Sequence, residues 1–200
     1  RTQRLEWDKV KGRLKELPFN EPVEQLLLLA ANRLEKKFVK LPRNKDFDKL
    51  YQVIEQAKVF PFQNYFDKGL AQKLYPFDIL SGAVLTLSLQ KYGQNERSLF
   101  SFIDSNDDLA IGSFEQLGKP YYSIPTIYDY LLNNYHSYIL SKYNTHYAQW
   151  ASIRRAIEKL DGLFTTADDQ SSAEDLVKLI GLLSIFSSAT AKLEPSFYVT

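Results

Sequence analysis

The feature that most restricts the fold is the stretch 77–92, which is apolar on nearly every side and lies between Pro76 and Gly93. Ile79, Leu80, Ala83, Val84, Leu85, Leu87 and Leu89 leave no room for a solvated face, so a helix built from them must sit centrally in a core. Alternation of Val84, Thr86 and Ser88 with leucines also satisfies the period of a strand. Helix is preferred because the run is long, starts after Asp78 and stops at Gly93, in the position of a C-terminal glycine cap.

Helical spacing recurs on both sides. Residues 5–17 form a short helix ended by Pro18, and Asn20, Glu21 and Pro22 punctuate the start of another carried by Val23, Leu26, Leu27, Ala30 and Leu34. Phe47, Leu50, Tyr51, Ile54 and Ala57 predict a helix over 46–60, a further one is expected over 64–75, and a short one over 95–102 with Asn95 as cap. The segment 104–123 gathers Asp104, Asn106, Asp107, Asp108, Gly112, Gly118 and Pro120, which predicts a surface loop or hinge. Helices over 123–143 and 147–160 follow, the second ended by Gly162; a polar stretch, 165–172, then separates them from a last helix over 173–186. The expected fold is an all-α, irregular multi-helix bundle, with residues 1–162 as its helical domain and 163–200 as a C-terminal helical extension.

Composition removes whole classes of chemistry. Cysteine is absent, so there is no disulfide framework, thiolate nucleophile or cysteine-bound zinc, which fits a reducing, cytoplasmic setting. No apolar run is long enough to span a bilayer. The chain opens at Arg1 and contains no methionine, so it is expected to be an excised piece of a larger protein. The first fifty residues are mildly basic, yet Glu6, Asp8, Glu16, Glu24, Glu35, Asp46 and Asp48 are interspersed with the cations, so an ordinary solvated helix face is the plainer reading and a nucleic-acid-binding helical domain the alternative.

No glycine-rich loop ending in Lys-Ser/Thr and no GxGxxG is present, so the chain has no phosphate cradle of its own. His136 and His146 stand ten residues apart, outside the spacings that bring two imidazoles to one metal, and no metal site is expected. The acids around Asp107 lack the register of a calcium loop. Asp168 and Asp169 are expected in the cap region of the final helix.

Two groups of residues stand out. Gln94, Asn95, Glu96, Arg97 and Ser98 gather hydrogen-bonding groups directly after the apolar run, where Arg97 is rigidly aimed; either the guanidinium reaches phosphate oxygens or a neighbour, or it joins Glu96 in a network linking two helices. Tyr121, Tyr122, Tyr128, Tyr130, Tyr135, Tyr138, Tyr143 and Tyr147, with Trp150 beyond them, exceed what a core of this size requires. Tyr128, Tyr135, Tyr138 and Trp150 are candidate partner contacts or stacking platforms, against the plainer reading that aromatics fill gaps between helices.

Trp7, Lys9-Val10-Lys11-Gly12-Arg13, Leu17-Pro18-Phe19, Tyr75-Pro76, the run from Gln94 to Phe102, and Leu179-Ile180-Gly181-Leu182-Leu183 occur in that order along the chain. Together they resemble the helical region downstream of the nucleotide-binding domain in large bacterial P-loop ATPases of the AAA+/STAND kind, some of which are associated with defence against phage. The resemblance implies a non-catalytic lid or sensor domain that couples nucleotide state to movement of partners or other domains, with Arg97, Glu96 and Asn95 as sensing residues. It also implies a winged-helix-like unit that begins with the final helix and the trailing Pro195-Ser196-Phe197-Tyr198. ATP and Mg²⁺ would then belong to the parent protein, upstream of Arg1, and not to this chain.

Overall fold

The computed structural model describes residues 22–38, 45–60, 67–94, 96–117 and 121–199. Among these residues there are eight α-helices and no β-strand: α1 (Val23–Lys37), α2 (Lys45–Ala57), α3 (Lys68–Lys73), α4 (Ile79–Tyr92), α5 (Glu96–Asp104), α6 (Ile124–Ile139), α7 (Tyr147–Glu158) and α8 (Ala167–Phe186). Two 3-10 turns, Ile111–Leu117 and Pro195–Val199, complete the order. The expected all-α bundle is what the chain forms. The helix expected over 5–17 and the Asn20–Glu21 punctuation lie outside the described residues.

α4 is the central helix. It packs against α1, α5, α6 and α8, and Ile79, Ala83, Val84, Leu85, Leu89 and Tyr92 are all buried. Its buried hydroxyls explain why a strand-like alternation tolerates a helix: Thr86 Oγ1 donates to the Gly82 carbonyl at 2.9 Å and Ser88 Oγ to the Leu85 carbonyl at 2.7 Å. Each polar side chain is therefore satisfied by its own helix and costs the core little. At the N-terminus the Asp78 carboxylate accepts from the Ser81 amide and hydroxyl, both at 2.7 Å. Burial pushes the Asp78 carboxyl up, and the Ser81 and Leu80 hydrogen bonds oppose that shift.

Gly93 caps α4 for a reason other than the one its position suggests. Its φ of −106° is open to any residue, but a Cβ there would stand 2.5 Å from Ser98 Oγ and 2.8 Å from the Leu89 carbonyl oxygen. Absence of a side chain, not left-handed geometry, is what the turn into α5 requires.

Phe77 and Tyr122 form an isolated parallel bridge, and the Tyr122 amide donates to the Pro76 carbonyl at 2.8 Å, so α4 and α6 start side by side. Their C-terminal ends meet again where the rings of Tyr92 and Tyr138 lie 5.9 Å apart. Phe186, at the end of α8, packs against the same Tyr92. α7 begins at this end and runs back antiparallel to α8, whose Leu182, Leu183, Ile185 and Phe186 belong to the same core cluster as α4 and α6. After α8 the backbone turns along the end of α2: the Ser188 amide donates to the Val59 carbonyl at 2.7 Å and the Lys192 amide to the Ala57 carbonyl at 2.9 Å.

Several sequence expectations need correction. The described part of the segment 104–123 is not a plain surface loop or hinge, because Ala110, Ile111, Phe114 and Tyr122 are buried and Ser113 donates to the carbonyls of Asn106 and Asp107; Gly118 and Pro120 lie outside the described residues. Its turn-forming residues shape a packed 3-10 segment, and Gly112 allows the Ser105 carbonyl to approach closely. The polar stretch 165–172 is not a separator: Thr166 caps α8, accepting from the Asp169 amide at 3.1 Å and donating to its carboxylate at 2.7 Å. The described part of the helix expected over 64–75 is Lys68–Lys73, capped by Asp67. α6 stops at Ile139 and is kinked at Tyr135, where φ and ψ are −122° and 16°.

Candidate functional site

Arg97 lies in the first turn of α5, which the preceding segment holds in place: the Gln94 amide donates to Ser98 Oγ at 2.7 Å and the Arg97 amide to the Gln94 carbonyl at 3.2 Å. Arg97 lines two open depressions. One, of about 330 Å³, is lined by Gln94, Arg97, Ser98, Ser101, Tyr130 and Tyr135; the other, of about 540 Å³, by Arg97, Phe100, Ser101 and Asp104. Arg97 and Ser101 are four residues apart and share a helix face, a spacing that places a cation and a hydroxyl over the same hollow.

The charge environment is asymmetric. Asp104 is engaged by Arg33, whose Nε lies 3.1 Å from Oδ1 and whose guanidinium sits 5.0 Å above the Phe100 ring. Arg97 has no ion-pair partner among the described residues. Asn95 and the Glu96 side chain lie outside the described residues, so of the three sensing candidates only Arg97 is placed. Tyr130 and Tyr135 meet edge to face with ring centres 6.4 Å apart. Burial, followed by the neighbouring Tyr135 and the charge of Asp107, pushes the Tyr130 hydroxyl up, so it stays a neutral donor and acceptor.

The tyrosine candidates are divided by the fold. Trp150 and Tyr128 are buried, at 0% and 2% exposure, and stack with ring centres 5.4 Å apart and planes at 27°. They present no face to a partner, a correction to the expectation from sequence. Trp150 Nε1 donates to the Tyr92 hydroxyl at 2.9 Å, and Lys178, paired with Asp129 at 2.9 Å, lies 5.7 Å from the Tyr128 ring centre. Burial and then the Asp129 charge push the Tyr128 hydroxyl up to about 12. Tyr138 is half exposed over Tyr92, and Tyr135 belongs to the Arg97 depression instead. A signal for the burial was present: Tyr128 continues the Ile124, Ile127, Leu131 stripe, and Trp150 the stripe of Ile153 and Ile157.

His146 is the helix-start residue of α7, as its surroundings in sequence suggest. Its Nδ1 is buried without a hydrogen-bond partner among the described residues. Burial, then the Lys91 ammonium, holds its pKa below the ordinary 6.5. The unfolded chain therefore takes up this proton first as the pH falls. The stability carried by neutral His146 is complete above pH 6.5 and declines as the pH falls below that value toward the folded pKa. Thermal melting of the chain and of His146→Gln at pH 7 and pH 5 should show the larger drop in the unsubstituted protein; equal drops would mean that His146 does not titrate on unfolding.

Among the described residues no group of three or more His, Asp or Glu side chains comes together, and no helix is long and apolar enough to cross a membrane. Comparison with protein-family models, with curated proteins and with solved structures gives no match.

Proposed function

We propose that this chain is a non-catalytic regulatory domain, a lid or sensor, of a larger cytoplasmic P-loop ATPase of the AAA+/STAND kind, in which Arg97 reports on the state of a nucleotide held by the parent. The observation that carries this reading is an exposed arginine, without an ion-pair partner among the described residues, on a helix start tied to the preceding segment by the Gln94 amide and Ser98 Oγ, beside a polar hollow. A guanidinium so placed is charged at every relevant pH and forks onto two oxygens at once. Resemblance of the blocks around Tyr75-Pro76, Gln94 to Phe102 and Leu179 to Leu183 adds the nucleotide context.

On this reading Mg²⁺ and ATP bind elsewhere in the parent, and the isolated chain does not bind ATP tightly. Changes at the nucleotide move α5 against its neighbours, and the bundle passes that movement to other domains or protein partners. Arg97→Ala in the full-length parent should lower ATP turnover on the order of a hundredfold, the scale for loss of one charge-stabilising donor. Melting of the chain should change by about 0.5 kcal/mol or less, as for an exposed substitution. Equal turnover in variant and unsubstituted parent, or a parent without ATPase activity, overturns the reading.

A further inference from the structure

The end of the bundle where α4 and α6 stop and α7 starts carries three exposed tyrosines. Tyr143 is 78% exposed, and Tyr138 and Tyr147 are each 46% exposed. Lys142 Nζ lies 5.7 Å from the Tyr143 ring centre. Lys91, on the last turn of α4, is close enough to His146 for its charge to act on the imidazole. Asn144 pins the turn by donating from Nδ2 to the Ile139 carbonyl at 2.8 Å and accepting the His146 amide at 3.0 Å, so the tyrosines project from a defined backbone.

Two further facts distinguish this end. From Tyr130 to Ile157 the chain carries no Asp or Glu, and α4 carries none from Ile79 to Tyr92. The acids that flank the long segment are Asp129, paired with Lys178, and Glu158 at the far end of α7; Glu96, whose side chain lies outside the described residues, follows α4. The exposed leucines and isoleucines, Leu28, Leu29, Leu163, Leu176 and Ile180, all lie elsewhere. Tyr138, Tyr143 and Tyr147 are accompanied by the exposed Asn133, Ser137, Lys142, Thr145 and Gln149, and the one charged side chain among these neighbours, Lys142, is a cation.

We propose that this surface binds single-stranded nucleic acid, with bases stacked on Tyr143, Tyr147 and Tyr138 and phosphates directed to Lys142 and Lys91. Stacking tolerates any base, and α4 and the segment from Tyr130 to Ile157 set no carboxylate of their own against the phosphate backbone, so binding is independent of sequence and weakens with salt. The surface is separate from the Arg97 depression and does not rest on the ATPase reading. It also differs from the mildly basic first fifty residues, where acids are interspersed.

Fluorescence anisotropy of labelled 20-nucleotide oligo(dT) and oligo(rU), titrated with the 200-residue chain, tests the proposal. Affinity should fall by roughly sevenfold between about 50 and 200 mM salt, the dependence for two phosphate contacts on a single strand. Tyr143→Ala with Tyr147→Ala should weaken binding by at least about tenfold, whereas the paired phenylalanine variants, which keep the stacking faces, should retain it. Both sites are exposed, and unchanged melting confirms that the variants fold. Arg97→Ala should leave oligonucleotide affinity intact, and the double alanine variant should leave ATP turnover of the parent intact, so the two proposals fail separately. No binding to either oligonucleotide, affinity indifferent to salt, or affinity unaffected by the double alanine variant overturns the assignment. Loss of a protein partner in that variant without any oligonucleotide binding would identify the surface as a protein interface instead.

Discussion

Trp150→Ala should cost the fold about 3–5 kcal/mol, the range for deleting a large, fully buried aromatic. The indole is inaccessible to solvent, stacks on Tyr128 at 5.4 Å and holds the Tyr92 hydroxyl at 2.9 Å, so three helices lose a shared contact at once. For a chain of this size about 2–4 °C of melting temperature accompanies each kcal/mol, which makes the shift easy to read by circular dichroism. Trp150→Phe separates packing from hydrogen bonding: it keeps most of the ring volume but removes the donor to Tyr92, and should cost about 1–3 kcal/mol. A loss below about 1 kcal/mol for the alanine variant would mean that the junction of α4, α6 and α7 collapses around the gap.

Gly181→Ala is the second large effect, and its sign is informative. Alanine is the better helix former by about 1 kcal/mol, so an exposed site would gain stability. Here the new Cβ meets Ile153 Cγ1 at 2.5 Å, Cδ1 at 2.6 Å and Cγ2 at 3.2 Å. Ile153 is β-branched and restricted in χ1 within α7, so it cannot swing aside, and overpacking of this kind costs about 1–3 kcal/mol. The net expectation is destabilisation, with α7 and α8 forced apart. In a double-mutant cycle, Ile153→Ala should cost less in the Gly181→Ala background than alone, because the cavity accepts the added methyl. A rise in melting temperature for Gly181→Ala would show that the two helices slide freely.

The parts of this fold legible in sequence are those where one signal had no competitor. α4 combines Asp78, an apolar run and Gly93, and the only rival, the alternation of Thr86 and Ser88, disappears once their hydroxyls turn back onto the helix. The turn residues of segment 104–123 do not reveal its packing, because Asp, Asn and Gly mark turns whether or not the turn is buried; the spacing of Ile111 and Phe114, three apart, is the pattern of a 3-10 turn with an apolar face. Asp168 and Asp169 lie at the start of α8, as their cap-region pattern suggests, but the helix begins at Ala167 and not at 173, because polar residues after a loop resemble more loop although Thr166 and Asp169 have the spacing of a capping box.

The candidate site was legible only in part. Arg97 was identifiable from its place after a rigid helix, whereas Ser101, Tyr130 and Tyr135 join it through tertiary packing that no local pattern records. Tyrosines are amphipathic, so their number revealed a boundary between core and water but not the side on which each one falls. That side is set by register: Tyr128 extends an apolar stripe, and Tyr143 sits in the turn after α6.

The tail that hydrogen-bonds to the end of α2 has a consequence for chains cut in two. Cleavage at the exposed Tyr143 turn would free α7, α8 and the tail as one peptide, with no covalent link to the rest. That peptide would still be held by Trp150 against Tyr92 and by the Ser188 and Lys192 amides on Val59 and Ala57. The two pieces are thus natural halves for a split-protein reporter, in which reassembly of the bundle reads out their encounter.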